Sequence, residues 1–330
     1  MPAISPRKLI EALIDAIQQS GYSAILISPV RSHPRRFIVT SPDGINSSLW
    51  VYAWTLTFGG RPSLPDEYRI QKTTVTSPLS LNPSGSTVLL GYEPDFRMFA
   101  GFDLQRHSIF TTGSPSVQID IKKVRDALEY GLTFDRKGND EIAVGIRPDQ
   151  LVNYALNADH LHRYGRQPET FRLLERATSL EVITLAEIEA LPESRRRIVQ
   201  EVRRLSRNAN FRQQVLHAYG NRCAVTRVQL RLVDAAHILP VGAPDSSDHV
   251  TNGLALSPTY HRAYDNGLIY LDDSHVMRIN PIKQAELSFL RLDDGMAGFK
   301  VPLGKILLPP DPGQWPKQDF IRQANRFRLI

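Results

Sequence analysis

Residues 231–272 read RLVDAAHILPVGAPDSSDHVTNGLALSPTYHRAYDNGLIYLD, and this pattern predicts a strand, a loop, a second strand and a helix. Positions 234–238 favour a strand, and the turn-rich GAPDSSDHVTN bounds it. Positions 253–256 can return as the second strand. Ser257-Pro258 then opens a helix with an N-cap serine and a proline in the first turn, and Asn266-Gly267 ends it. A small ββα frame is therefore expected here.

The polar residues of this frame resemble a known nuclease family. His237, Asn252 and His261 follow one another in the order of an HNH site, preceded by the lead-in FRQQVLHAYGNRCAVT. Over about residues 205–275 the chain resembles the HNH endonuclease domains of bacterial restriction enzymes and related defence nucleases. The resemblance implies a ββα-metal fold that hydrolyses DNA phosphodiesters with one divalent cation.

The resemblance also implies a role for each residue of the motif. His237 matches the general base, since a neutral imidazole can take a proton from water near physiological pH, and a backbone carbonyl is expected to orient it. Asn252 matches the residue that fixes the loop between the strands. His261 matches the metal-side histidine, and Asp265, one turn further along the helix, takes the place of a second metal ligand. An imidazole with a carboxylate suits Mg²⁺ or Mn²⁺.

Three neighbouring residues leave alternatives open. Several relatives carry a metal ligand directly before the base, where this chain has Ala236. Asp234 is the nearest acid and the third candidate ligand, although strict strand alternation points it away from the face of His237. Arg262 is either a phosphate contact or a solvated helix residue. Cys223, the single cysteine, is expected in the core rather than on a metal.

Positive charge is concentrated just before the motif. Residues 191–230 contain nine arginines and two glutamates, a net charge of +7, whereas the whole chain has +6. Such a patch is typical of a protein that binds a polyanion, and a solvated helix face is the alternative. Arg203, Arg204 and Arg207 are the candidate DNA contacts of this patch.

The length of 330 residues and the mixed composition predict a folded α+β protein of two main domains. Residues 1–165 are expected to form a mixed α/β domain of about five or six strands that recognises the DNA target. Residues 166–194 are expected to be a helical connector, and residues 195–330 the ββα-metal HNH domain.

Within the first domain two clusters permit two interpretations each. One cluster alternates with smaller residues along a strand, which favours a core face; it consists of Trp50, Tyr52, Trp54, Leu56 and Phe58. Of these, Trp50, Trp54 and Phe58 also suit stacking on a flipped or modified base. The second cluster is a basic stretch that either contacts phosphate or forms a solvated loop; it consists of Arg31, His33, Arg35 and Arg36.

The expected partners are double-stranded DNA, a second copy of the chain, and a cognate methyltransferase that protects the host. No apolar run approaches the roughly 18 residues of a membrane span, and no secretion leader is recognised, so a cytoplasmic protein is expected. A restriction-type endonuclease is the leading interpretation. A DNA-degrading toxin and a non-catalytic DNA-binding protein that keeps the HNH frame are the alternatives.

Overall fold

The computed structural model describes residues 3–111 and 115–328. The chain divides into two compact units, Met1–Ala209 and Asn210–Ile330. This division differs from the expected boundaries, because residues 166–194 do not form a connector. They fold into helices whose apolar residues, Leu173, Leu174 and Ile188 among them, are buried in the core of the first unit. Both units combine helices with strands, which confirms the α+β class.

The first unit is richer in strands than the sequence predicted. In the part of the chain that the structure describes, its strands are β1 Ser23–Leu26, β2 Arg35–Thr40, β3 Asn46–Thr55, β4 Thr57–Phe58, β5 Glu67–Gln71, β6 Gly85–Glu93, β7 Met98–Phe102, β8 Ser116–Asp120, β9 Leu132–Arg136 and β10 Ile142–Ile146. Its helices are α1 Pro6–Gln19, α2 Leu104–His107, α3 Ile121–Tyr130, α4 Leu151–Tyr164, α5 Pro168–Thr178 and α6 Leu185–Glu189, followed by α7 Glu193–Ala218, which includes residues on both sides of the division.

Two sheets organise this unit. The larger has the order β1-β2-β3-β6-β7-β10-β9, with β3 and β6 parallel and the other neighbours antiparallel. The smaller has the order β4-β5-β8. One core lies between the larger sheet and the helices, and a second contains residues of both sheets. β6 and β7 form a hairpin, and Glu93-Pro94-Asp95 marks its turn locally in the sequence.

Local chemistry explains the first helix. Ser5 caps α1 by accepting a hydrogen bond from the Lys8 N–H, and Pro6 occupies the first turn. One face of the helix is buried and comprises Leu9, Ile10, Leu13, Ala16 and Ile17. Burial of this stripe, rather than intrinsic propensity, stabilises the helix in the fold.

The second unit contains the predicted ββα frame. Its strands are β11 Asp234–His237, β12 Gly253–Leu256, β13 Ile269–Leu271, β14 Val276–Ile279 and β15 Gly304–Lys305, and its further helices are α8 Pro258–Asp265, α9 Pro281–Phe289, α10 Met296–Lys300 and α11 Gln318–Phe327. β11 pairs with β12, and β13, β14 and β15 form a separate sheet. Cys223 is fully buried in the core of this unit, as expected. Among the helices of the described residues, none combines the length and the apolar character that crossing a bilayer requires.

Candidate active site in the C-terminal unit

The β11–β12 hairpin positions the predicted base at the end of its first strand. The two strands are antiparallel, with His237 opposite Gly253 and Asp234 opposite Leu256. Helix α8 follows β12 after one residue and packs against both strands. The sequence therefore folds locally as the motif predicted.

The His237 side chain is held by two groups that the sequence did not reveal. Its Nε2 lies 3.0 Å from Oδ1 of Asp248, a residue of the loop between the strands. The ring stacks on Phe211 of α7, with centroids 3.7 Å apart and planes 11° from parallel. The side chains of His237 and Asp248 are 17% and 18% exposed, so both reach solvent from a largely buried position. The expected orienting group was a backbone carbonyl, whereas the acceptor found at Nε2 is a carboxylate.

Asn252 fixes the two ends of the loop to each other. It is fully buried, and its Oδ1 accepts a hydrogen bond from the Leu239 N–H at 2.8 Å. Its Nδ2 donates to the carbonyl oxygens of Leu239, at 3.1 Å, and of Ser247, at 2.9 Å. Ser247 directly precedes Asp248, so these bonds also hold the backbone beside the carboxylate that meets His237.

Gly253 completes the Asn-Gly pair for a steric reason. A Cβ at this position would lie 2.2 Å from Cγ2 of Val215 and 3.2 Å from Cζ of Phe211. Only glycine allows β12 to approach α7 this closely. The glycine thus brings the strand next to the same ring that stacks on His237.

The predicted metal ligands on α8 lie together. His261 Nε2 is 3.3 Å from Oδ2 of Asp265, and the two side chains are 27% and 57% exposed. An adjacent side of this helix is anchored, because Tyr264 is fully buried and the Tyr260 hydroxyl donates to the Phe299 carbonyl at 2.8 Å. Ser257 is the N-cap residue by position, but its side chain does not make the capping hydrogen bond.

Asp234 stands apart from this pair. Its Oδ1 is 3.6 Å from Nη2 of Arg212, so a cation already lies beside the carboxylate. Within residues 3–111 and 115–328, no three His, Cys, Asp or Glu side chains are grouped closely enough to hold a metal ion. Of the three predicted ligands, the two that lie together are His261, with its imidazole, and Asp265, with its carboxylate. Such a pair fits Mg²⁺, which is usually bound through one or two carboxylates and keeps several waters.

The arginines proposed to bind DNA differ in how far the protein itself uses them. Arg204 makes a two-point contact with Glu201, at 2.7 and 3.0 Å, and the Arg203 guanidinium donates to the Ile183 carbonyl at 3.4 Å. Arg207 also has an interaction partner within the protein. Arg262 is exposed on α8 and makes no ion pair with the described residues. Of the four, Arg262 thus presents the charge that is least neutralised.

A further residue beyond the motif supports the hairpin. The Arg328 guanidinium donates to the carbonyl of Ile238, the residue after His237, at 3.1 Å, and lies 4.2 Å from the Tyr264 ring centroid. Burial raises the pKa of the Tyr264 hydroxyl to about 12, so this ring stays neutral. No sequence pattern predicts this contact, because 90 residues separate its partners. Of the residues that sequence reasoning missed, Asp248 alone could have been found, because it is an acid only eleven residues after His237.

Two family models match the chain. Residues 223–272 match the HNH endonuclease family, which confirms the resemblance expected from the motif. Residues 47–155 match the family described as methylase-associated X1. No curated protein matches. Among solved structures, the modification-dependent TagI restriction endonuclease is similar at 14% identity and a TM-score of 0.28, over 98% of this chain and 90% of that chain. That score is too low to support an inference.

Proposed function

We propose that this chain, whose residues 223–272 match the HNH endonuclease family, is a restriction-type endonuclease that hydrolyses double-stranded DNA. One observation carries the proposal. Within the matched segment, His237 is oriented by Asp248 and Phe211 at the end of a hairpin whose loop is fixed by the buried Asn252. A histidine that served only for packing would need no buried amide to organise its surroundings.

His237 acts as the general base in this proposal. A neutral imidazole that donates from Nε2 to the Asp248 carboxylate keeps its lone pair on Nδ1. Nδ1 then accepts the proton of the water that attacks the phosphorus atom, and the bond to the leaving oxygen breaks. The negative charge of Asp248 stabilises the imidazolium that results. Phe211 limits rotation of the ring, so the base keeps one orientation.

His261 and Asp265 are the residues that would hold the divalent cation, Mg²⁺ or Mn²⁺. When bound, such a cation polarises the scissile phosphate and stabilises charge on the leaving oxygen. Asp234 remains a weaker candidate ligand, because Arg212 lies beside its carboxylate. Arg262, next to His261 in the chain and exposed, neutralises a phosphate oxygen of the bound strand.

The first unit supplies DNA recognition in this proposal. Its match to a methylase-associated family supports a functional link to DNA methylation, either through a cognate methyltransferase or through recognition of a modified base. The arginines of α7, with Arg203, Arg204 and Arg207 as the candidates, add affinity for phosphate that does not depend on base sequence.

A dimer follows from the chemistry of double-strand cleavage. Each chain provides one His237, and one general base at one phosphodiester cuts a single strand. Two copies related by a two-fold axis place one site on each antiparallel strand. Analytical ultracentrifugation of the protein with and without DNA measures whether two copies assemble.

Cleavage of plasmid DNA tests the proposed function. The purified chain is incubated with supercoiled plasmid, methylated or unmethylated, in Mg²⁺, in Mn²⁺ and in a chelator. We expect nicked and linear products only with a divalent cation, and a difference between the two plasmids. Binding without cleavage under every condition would instead identify a non-catalytic DNA-binding protein.

A further inference from the structure

The face of β3 that carries the tryptophans is only partly covered. Leu49, Val51 and Ala53 point to the opposite side, where they are buried in the core that contains the helices. Of the alternating aromatic residues, Tyr52 is 2% exposed, but Trp50 and Trp54 remain half-buried. The expectation of a plain core face therefore holds for Tyr52 and not for the two tryptophans.

The ring of Trp54 is held flat against a histidine. His33 stacks on it with centroids 4.5 Å apart and planes 11° from parallel, and the Tyr52 ring is nearly parallel to both. The indole Nε1 donates to the Thr73 carbonyl at 3.2 Å, which fixes its orientation. Burial is the main cause that lowers the pKa of His33 to about 3, so its ring is uncharged at neutral pH. A rigid, neutral aromatic surface results.

Two arginines place positive charge next to these rings. The Arg36 guanidinium lies 4.3 Å from the Trp50 ring centroid, and Arg36 is directly opposite Trp50 in the pairing of β2 with β3. Arg35 is 3% exposed, its Nη1 donates to the Ala53 carbonyl at 3.1 Å and lies 3.4 Å from Nδ1 of His33, and its buried Nε has no hydrogen-bond partner.

Within residues 3–111 and 115–328, no carboxylate balances this charge. Among the described residues neither Arg35 nor Arg36 forms an ion pair, whereas many arginines elsewhere in the unit do. A buried guanidinium without a counter-charge is costly, and an anionic ligand would offset that cost. Flat aromatic rings beside uncompensated arginines are the combination that binds nucleic acid with its bases unstacked.

We propose that His33, Arg36, Trp50 and Trp54, here called the aromatic shelf, bind an unpaired nucleobase of DNA: the rings stack on the base, and the exposed Arg36 guanidinium binds its phosphate. The proposal deepens the DNA recognition described above and rests on it. A base inside a duplex cannot stack on a protein ring, so the base must leave the helix to reach the shelf. Phe58 is not part of the shelf, since it lies on β4 and its ring contacts Tyr68.

Binding of duplexes that contain 2-aminopurine tests the shelf. One duplex holds this fluorescent base unpaired and the other holds it paired with thymine, and both are titrated in a chelator to prevent cleavage. We expect the protein to bind the unpaired duplex more tightly and to quench its fluorescence by stacking. Trp54→Leu, which keeps apolar contact without the ring, should weaken that binding roughly 5- to 100-fold and abolish the quenching.

Matched variants separate stacking from loss of structure. Trp315→Phe removes the tryptophan of the other unit and should bind both duplexes like the wild type. Arg36→Gln changes an exposed side chain, so the fold should persist. The slope of log K against log salt concentration should become shallower by about one, because one phosphate contact is lost. Circular dichroism confirms that each variant is folded.

The outcomes distinguish the shelf from the nuclease. If folded Trp54→Leu and Arg36→Gln bind the unpaired duplex as the wild type does, while the wild type still cleaves plasmid, the shelf proposal is wrong and the nuclease proposal stands. The shelf proposal is also wrong, and the nuclease proposal still stands, if this surface binds an aromatic-rich peptide and does not bind DNA. If the wild type binds and quenches the unpaired base but never cleaves DNA, the shelf stands and the nuclease proposal fails.

Discussion

Replacing Asn252 by alanine is the change for which the structure allows the most direct estimate. The side chain is fully buried and makes hydrogen bonds to three backbone groups, the N–H and C=O of Leu239 and the C=O of Ser247. In Asn252→Ala the Leu239 N–H loses its partner and both carbonyls lose a donor. The Leu239 carbonyl still accepts from the Ser246 hydroxyl at 3.0 Å, so its loss is partial.

The expected destabilisation follows from these contacts. A buried polar group left without a partner costs about 1–3 kcal/mol, and the small cavity adds to this. We therefore expect the free energy of opening of the hairpin and its loop to fall by about 2–4 kcal/mol. This is a large part of the 5–15 kcal/mol that typically stabilises a domain. Cleavage should fall with it, because the loop also carries Asp248.

Hydrogen exchange followed by mass spectrometry is the suitable assay, since a two-unit chain need not unfold in one step. Peptides from residues 234–256 report the opening of the hairpin directly. Asn266→Ala is the matched control, because Asn266 is an exposed asparagine in the same unit, and it should change the opening free energy by no more than about 0.5 kcal/mol. A loss below about 1 kcal/mol in Asn252→Ala would refute the view that this amide fixes the loop.

Three further changes have defined outcomes. Asp248→Asn keeps an acceptor near His237 but removes its charge, so single-turnover cleavage should slow roughly 10- to 100-fold with unchanged melting temperature; an unaltered rate contradicts the role. Asp265→Ala should raise the Mg²⁺ concentration for half-maximal cleavage at least about tenfold, and an unchanged titration removes it as a ligand. Burial lowers the pKa of His162 to about 4, so its neutral form favours the fold above pH 6.5, and this stability is lost as the pH falls toward 4. His162→Gln should reduce the difference in melting temperature between pH 7.5 and pH 5 without abolishing it, because His33 shifts in the same direction.

The ββα frame could be predicted from sequence because every signal in it is local. A run of turn residues separates two short apolar segments, and Ser257-Pro258 and Asn266-Gly267 delimit the helix. Local signals of the same kind mark α1, which begins after Ser5 with Pro6, and the turn between β6 and β7. In each case the residues that pair with one another, or that share the buried face, lie within about 20 positions of each other in the chain.

The first unit could not be predicted to the same extent, because its pairings are distant in sequence. β5 pairs with β8, which lies more than 40 residues later, and β3 is parallel to β6 across a connection that contains β4 and β5. Nothing in the strand residues themselves specifies these partners. The charged, helix-prone composition of residues 166–194 likewise concealed the leucines by which α5 packs into the core.

The missed site residues have the same explanation. Asp248 lies in a loop of turn residues without periodicity. Phe211 lies on a helix that precedes the motif, 26 residues before His237. Both touch the imidazole only because the chain folds back on itself. Sequence motifs thus identified the side chains of the HNH pattern but not the groups that orient the base.

The rate at which His237→Ala nicks supercoiled plasmid tests the central claim most directly. His217→Ala is the control, because His217 is an exposed histidine in the same unit. Under single-turnover conditions in Mg²⁺, loss of a general base should slow cleavage by about 10²- to 10⁴-fold while DNA affinity stays unchanged. His217→Ala should cleave like the wild type. Cleavage by His237→Ala at the wild-type rate would contradict the assignment of this histidine as the base.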